Sequence, residues 1–182
     1  MKGKTCDGIQ KARRITRKRV AQRARMVTGF SRAQISLHRV VALFIFYQLI
    51  FSAAMSAAFR AVKDGGTPVV GLGAWAHIIV GSLVLVVALW RMMRGVPTAP
   101  AEDNTLLEKA GVAGHWFLYI LMISLPITGL LAWFGGVLPL GEIHGGLLKI
   151  LMWVMIGLHV VAALWHHFIR KDGLFNRMRK PG

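Results

Sequence analysis

The sequence contains very little cysteine and few acidic residues. Its single cysteine, Cys6, cannot form an internal disulfide, and nothing in the chain resembles a cysteine-rich metal site or a thiol enzyme. Only 7 Asp and Glu residues stand against 23 Lys and Arg, which gives the 182 residues a formal charge of +16. This charge is kept apart from long uncharged runs, so we expect no nucleic acid as a partner.

What the chain has in abundance is apolar sequence, at 55% of its residues. Four segments reach the roughly 20 apolar residues that a helix needs to cross a ~30 Å hydrocarbon core. Short connections with Gly or Pro at 63–68, 94–104 and 135–142 make neighbouring helices antiparallel. The sequence therefore predicts an all-α integral membrane protein, an up-down bundle of four transmembrane helices. The segments run from near Ile35 to Phe59, and from about Leu72 to Met93, Val112 to Phe134 and Gly146 to Phe168.

The distribution of Lys and Arg predicts how the bundle is oriented. Twelve of them lie in residues 1–39, three flank the connection between the second and third helices, and five follow the fourth helix. The opposite side has only Arg60, Lys63 and Lys149. Because positive residues stay inside, both termini should be cytoplasmic, and membrane lipid is the first expected partner. The first apolar run is too long for a signal peptide, and no cleavage site follows it.

Three regions are expected along the chain: a basic cytoplasmic arm over 1–30, a transmembrane domain over 31–172 and a basic cytoplasmic tail over 173–182. The arm is interpreted as a solvated tail held near anionic lipid. Two alternatives stay open, namely that translation starts at Met26 and that the arm binds a specific partner.

Four histidines pair by depth in the predicted bundle. His38 is at the cytoplasmic start of helix one, and His159 lies toward the cytoplasmic end of helix four. His77 is near the outer start of helix two, and His144 is at the outer start of helix four. Two imidazoles that face each other across a bundle suit a planar macrocycle whose iron takes one axial ligand on each face.

The spacing within helix four supports two such macrocycles. His144 and His159 are fifteen residues apart, which at ~100° per residue brings them within ~60° of one face, with a rise of ~22 Å. One helix can then serve two haems stacked across the membrane. The chain has no C-x-x-C-H attachment motif, so these haems would be non-covalent and b-type.

Other interpretations of the histidines remain open. A single interfacial histidine commonly just reaches water. Zinc is disfavoured, because the two pairs lie too far apart for one site and no Asp, Glu or Cys completes either. His115, beside Trp116 at the cytoplasmic start of helix three, belongs either to an interfacial belt or to a hydrogen bond with a quinone carbonyl. Gly81 and Gly157 serve either macrocycle clearance or helix packing.

Four ordered stretches of the sequence together resemble the bacterial cytochrome b561 family. They are SLHRVV at 36–41, WAHIIVGSLVLVVALWRMMRG at 75–95, HWFLYILMISLPITGL at 115–130 and IGLHVVAALWHHF at 156–168. The likeness covers roughly residues 30–178 and leaves out the arm. The family is similar to the dihaem cytochrome b subunits of membrane formate dehydrogenases and nickel–iron hydrogenases.

The resemblance implies two b-type haems. His38 and His159 would be the axial ligands on the cytoplasmic side, and His77 and His144 those on the outer side, which agrees with the pairing by depth. The interval from His144 to His159 is one residue longer than is usual in the family.

The resemblance also implies an activity and a location. In the best-understood members of this family superoxide is oxidised at the outer surface of the bacterial inner membrane, and electrons pass through both haems to ubiquinone. Ubiquinone would bind near the cytoplasmic side, at the positions of His115 and His166.

Three functions are therefore to be separated. The first is a stand-alone superoxide:ubiquinone oxidoreductase with no obligate protein partner, in which Lys63 and Lys149 steer superoxide toward the outer haem. The second is a cytochrome b anchor subunit that takes electrons from a periplasmic dehydrogenase or hydrogenase. The third is a membrane protein without redox function, whose histidines bind nothing.

Overall fold

The computed structural model describes residues 31–94 and 106–171, and these are helical apart from short connections. The arm with Met26 and the tail 173–182 lie outside the described residues. Six α-helices and two π-helical segments follow in this order: α1 Arg32–Ile50, α2 Ala53–Lys63, α3 Leu72–Met93, α4 Leu106–Phe134, α5 Leu138–Ile143, a π segment His144–Leu148, α6 Lys149–Trp165 and a second π segment His166–Arg170.

Four stretches are long and apolar enough to cross a membrane: Arg32–Ile50, Leu72–Met93, Lys109–Phe134 and Leu138–Arg170. The described residues contain no strand. The prediction of an all-α bundle of four membrane helices is therefore confirmed. We call these stretches the first to fourth spans.

The first span ends earlier than predicted. A capping box at Ser31 starts α1, with the Ser31 hydroxyl accepting from the Gln34 backbone N–H at 3.2 Å and the Ser31 N–H donating to Gln34 Oε1 at 2.9 Å. Helix α1 stops at Ile50, where Phe51 leaves helical geometry with φ −98° and ψ 38°. The predicted continuation to Phe59 is wrong, because those residues form the separate helix α2, which packs against α3.

The fourth span begins earlier than predicted. Helix α5 carries Pro139 in its first turn, where a missing N–H is tolerated, and runs directly into the π segment and α6. Only residues 135–137 of the predicted 135–142 loop are non-helical, and Gly136 there has φ +68°. Helix α4 likewise starts at Leu106, six residues before the predicted Val112.

The spans pack through a small core and leave most of their apolar surface outside. Helix α3 contacts both α1 and α4, and α4 contacts α6. Leu49, Leu121 and Met152 form the buried centre, with exposed fractions of 8, 2 and 2%. One large apolar side chain per span illustrates the outer surface: Leu43, Val86, Ile120 and Val161 are 54–68% exposed. Such a surface would be insoluble in water and fits contact with lipid tails.

Candidate functional site

Histidine rings meet in two pairs at different depths of the bundle. At the end that the charge pattern predicts to face outward, His77 of α3 and His144 of the first π segment have ring centroids 6.1 Å apart. At the other end, His38 of α1 and His159 of α6 have centroids 6.3 Å apart. We call these the outer pair and the inner pair. The sequence predicted both pairings from depth alone, and the structure places the partners next to each other.

The ring separations suit one metal ion between each pair. A metal–nitrogen bond is ~2.0–2.1 Å and an imidazole centroid lies ~1.1 Å behind its nitrogen, so two rings on opposite sides of one ion have centroids ~6.3 Å apart. The rings of His115 and His159 are only 5.2 Å apart, about an ångström too close for this. Of these two neighbours, His38 therefore fits better than His115 as the residue that would hold an iron together with His159.

The four histidines form pairs and do not belong to larger clusters of metal-binding side chains. Within residues 31–94 and 106–171, no three His, Cys, Asp or Glu side chains are grouped so that they could hold a metal ion. Zinc needs three or four protein ligands, whereas haem iron needs one or two because the porphyrin supplies the rest. The donor set thus fits haem better than a bare metal ion.

The orientation of His144 is fixed by a backbone carbonyl. Its Nδ1 lies 2.7 Å from the carbonyl oxygen of Leu125 in α4. A carbonyl only accepts, so Nδ1 carries the proton and Nε2 is left as the lone-pair nitrogen, which is the usual arrangement of a metal-ligating histidine. Gly129, one turn further along α4, makes room for the ring, because a Cβ there would lie 3.0 Å from His144 Cε1.

The π segment explains how the long interval from His144 to His159 is accommodated. In a continuous α-helix fifteen residues would leave the two rings ~60° apart around the axis. A π turn holds one extra residue, so His144–Leu148 makes the interval equivalent to fourteen α-helical residues and an offset of ~40° in the opposite sense. The extra residue is absorbed where His144 stands, and the ring still faces His77.

The outer pair lines a cavity of about 450 Å³. All four spans line it, for example through Gln48 of α1, His77 of α3, Gly129 of α4 and Lys149 of α6. Its volume falls within the ~300–1,000 Å³ of typical small-molecule and cofactor sites. A cofactor here would contact every span, so its binding would help to hold the bundle together.

The predicted cationic residues of the outer end have different surroundings. Lys63 donates to Glu142 at 2.6 Å, and both side chains are about half exposed. This hydrogen bond, together with the charges of Glu142 and Asp64, raises the pKa of Lys63 above its usual value. Lys149 is partly buried and donates to the Ser52 hydroxyl at 2.7 Å, a neutral acceptor that leaves its charge uncompensated by this contact. Both lysines line the outer cavity.

The two remaining predicted residues lie toward the inner end. His115 of α4 has its Nδ1 2.8 Å from the carbonyl oxygen of Gly111, and its ring stands nearly perpendicular to that of His159. His166 is partly buried and opens the second π segment, seven residues beyond His159, which corresponds to a rise of ~10 Å. The structure thus brings His115 to the inner pair and places His166 further toward the end of the bundle.

Sequence reasoning missed three groups that support the outer pair: the Leu125 carbonyl, Gly129 and Gln48. Backbone carbonyls leave no sequence signal, and Gly129 looks like any glycine of a membrane helix. Gln48 could have been noticed, because an amide within an apolar span needs a partner. Gly81, expected to serve either macrocycle clearance or helix packing, faces this amide: a Cβ at Gly81 would lie 2.6 Å from Gln48 Nε2.

The chain is similar to a known protein family and to named relatives. A family model described as prokaryotic cytochrome b561 matches residues 29–181 of the chain. Cytochrome b562 of Cereibacter sphaeroides is 33% identical over 154 residues, which covers 84% of this chain and 96% of that protein. A probable superoxide oxidase CybB of Yersinia pestis is 32% identical over 126 residues, which covers 56% of this chain and 72% of that protein.

One iron per histidine pair predicts the haem content of single variants. His77→Ala and His159→Ala should each bind one haem fewer per chain than the unmodified protein, because each removes one axial ligand from a different pair. Haem and protein are quantified on the purified, detergent-solubilised chains. His167→Phe serves as the control and should keep the haem content of the unmodified protein. Retention of the full haem content in either alanine variant would contradict the pairing.

The π segment predicts that the chain tolerates a His144–His159 interval that is one residue shorter. Deleting Gly145 should convert the segment to α-helix and leave the haem that is predicted at the outer pair (the outer haem) bound, because His144 and the residues before it keep their direction relative to the rest of the fourth span. A Cβ at Gly145 would meet nothing within 4 Å, so no packing is lost there. Inserting one Ala after Gly145 should instead remove the outer haem. Haem loss in the deletion variant would show that the π turn itself is needed.

Proposed function

The chain belongs to the prokaryotic cytochrome b561 family, and on that premise we propose that it oxidises superoxide at the outer face of the membrane and reduces ubiquinone near the cytoplasmic face. Membership of the family and the four spans make this a multi-pass bacterial membrane protein that carries out transmembrane electron transfer with b-type haem. The two haems, the two substrates and the orientation are the parts that we propose.

The observation that carries the proposal is the equal spacing of two histidine pairs at two depths, 6.1 Å and 6.3 Å between ring centroids. We assign the outer haem to His77 and His144, and the inner haem to His38 and His159. Bound haem supplies one-electron redox chemistry, which no side chain of these pairs provides alone. The protein's own part is to hold the irons at two levels and to keep water from the space between them.

The apolar core supports the exclusion of water from the space between the two irons. Met152 lies between His144 and His159 along the fourth span, and it packs with Leu49 of the first span and Leu121 of the third. This cluster therefore occupies the level between the two pairs. Burial of these three side chains excludes water from the centre of the bundle, so that electrons, and not protons or ions, are what can cross.

The outer end suits a small anionic electron donor. Two superoxide anions would each lose one electron and leave as dioxygen, and the two electrons, with two protons, would convert one ubiquinone to ubiquinol. Arg60, Lys63 and Lys149 against Asp64 and Glu142 leave a formal charge of +1 at this end. Because Glu142 already pairs with Lys63, we assign most of the attraction inside the cavity to Lys149 and to Arg60, which also lines it. The relative described as a probable superoxide oxidase supports this choice of donor.

The inner end suits a quinone. His115 lies against the ring of His159, and its Nδ1 is engaged by the Gly111 carbonyl, so its Nε2 is the nitrogen that can meet a further group. His166 lies about two turns beyond His159, toward the cytoplasm in the proposed orientation. We propose that these two imidazoles bind the oxygens of the quinone and that protons for ubiquinol come from the cytoplasmic side. Because the Nδ1–H of His115 is given to the Gly111 carbonyl, its Nε2 donates to a ubiquinone carbonyl as imidazolium and accepts from a ubiquinol hydroxyl as neutral imidazole.

An anchor subunit for a periplasmic dehydrogenase or hydrogenase is the competing function. The outer connections between the spans are residues 51–71, which include α2, and residues 135–137. These are few residues to supply the roughly 800 Å² that a stable protein interface buries on each side, and α2 already uses part of its surface to pack against α3. This favours a chain that accepts electrons from a small donor directly.

Electrostatic steering predicts a charge-dependent rate of haem reduction by superoxide. Lys149→Gln should slow this reduction by roughly two- to tenfold at low salt, and more than Lys63→Gln, whose charge is already paired. Stopped-flow absorbance at the haem bands measures the rate, and added salt should shrink the difference. Lys109→Gln removes the same charge at the opposite end and should leave the rate unchanged. An equal effect of Lys109→Gln would place the entry site elsewhere.

The quinone assignment predicts a split between haem reduction and quinone reduction. His115→Phe and His166→Phe keep the bulk of the ring but remove its hydrogen bond, worth ~1 kcal/mol, so ubiquinone reduction should slow by about fivefold. Reduction of the haems from the outer end should continue unchanged. His167→Phe, one residue from His166, is the matched control with normal quinone kinetics. Unchanged quinone kinetics in both variants would place the quinone at another position.

A further inference from the structure

An amide of the first span reaches the backbone of an outer haem ligand. Gln48 of α1 donates from Nε2 to the carbonyl oxygen of His77 in α3 at 2.7 Å. A carbonyl only accepts hydrogen bonds, so this contact determines which end of the amide is nitrogen. The oxygen Oε1 is thereby the end of the amide that this contact leaves free to accept.

Two buried polar atoms are left without a partner at this point. Among the described residues, Gln48 Oε1 and His77 Nδ1 are the buried side-chain nitrogen and oxygen atoms that make no hydrogen bond. One is an acceptor. The other carries a proton whenever the Nε2 of His77 binds a metal, because a neutral imidazole has one protonated nitrogen. The two unsatisfied atoms are therefore complementary, and they belong to side chains that already touch through the His77 carbonyl.

Gly81 provides the space in which the amide lies. A Cβ at this position would be 2.6 Å from Gln48 Nε2, closer than real contacts allow, and Gly81 stands four residues after His77 on the same face of α3. Apart from the two chain neighbours of Gly81, Gln48 is the only side chain among the described residues within 4 Å of that Cβ. The glycine thus makes room for this amide in particular.

We propose that Gln48 is a positioning residue for His77: when the outer haem is bound, its Oε1 accepts from His77 Nδ1–H a hydrogen bond that the two atoms do not make in this structure, and so aims Nε2 at the iron. The inference rests on the proposed ligation of that haem by His77. The other outer ligand, His144, receives the same support from the Leu125 carbonyl at 2.7 Å. Gln48 would supply for one ligand what a backbone carbonyl supplies for the other.

The hydrogen bond has a consequence that helix packing alone does not have. An acceptor on Nδ1–H makes the imidazole a more basic ligand, which stabilises ferric over ferrous iron and lowers the reduction potential of the haem. Loss of the acceptor should therefore raise the midpoint potential of the outer haem. The inner haem, bound by other residues, should keep its potential.

The test is a spectroelectrochemical titration of the purified, haem-loaded protein. The outer haem is the wave that disappears in His77→Ala. In Gln48→Leu this wave should shift to a more positive potential while the inner wave stays in place. Gly81→Ala should shift it in the same direction, because the added methyl displaces the amide without removing it. A shift in both variants therefore cannot come from losing the amide dipole.

Ser82→Ala is the matched control, since it removes a hydrogen bond from the Ser82 hydroxyl to the Ile78 carbonyl in the same helix and the same cavity. Its outer wave should not move. An outer wave that is unshifted in both Gln48→Leu and Gly81→Ala, or equally shifted in Ser82→Ala, overturns the role of Gln48. If Gln48→Leu loses the outer haem, the midpoint potential of the outer haem in Gly81→Ala decides whether Gln48 has this role. Absence of an outer wave from the unmodified protein would instead overturn the haem assignment, and this inference with it.

Discussion

An imidazole ring inside hydrocarbon must find a partner, and the architecture of this protein follows from that requirement. Four rings lie on three spans, and each approaches one other ring at about 6 Å. This separation is too wide for a direct hydrogen bond and right for a shared metal ion. The antiparallel arrangement of the spans allows this pairing. It brings His159 of the fourth span level with His38 of the first span, and His144 of the fourth span level with His77 of the second span.

The two ends of the bundle differ in how firmly they hold their pair. The outer pair borders a cavity of about 450 Å³, and His144 is oriented by the Leu125 carbonyl. At the inner end His38 is exposed, and a third ring, His115, stands against His159. A fixed outer site suits electron entry from a small anion. An inner site with a spare imidazole suits a larger acceptor that has to bind, take up protons and leave.

Much of the fold and the pairing could be predicted, because both depend on signals that are local in sequence. Apolar length identified the four spans, and the count of Lys and Arg assigned His38, His77, His144 and His159 to two levels. The end of α1 at Ile50 could not be predicted, since no Gly or Pro marks the break at Phe51. The π segment depends on one extra residue having to be accommodated somewhere in the fourth span, and its location is decided by packing around His144.

Long-range polar contacts were also beyond the reach of the sequence. Lys63 and Glu142 are 79 residues apart, and Gln48 reaches the His77 carbonyl across 29 residues. Such pairs depend on how the helices rotate against each other, which periodicity does not fix in helices that are apolar on all sides.

The central claim, one iron between each pair of rings, is tested most directly by electron paramagnetic resonance of the oxidised, purified protein. The account predicts two low-spin ferric signals per chain, both with two imidazole ligands. A high-spin signal as the main species, or one haem per chain, would contradict it.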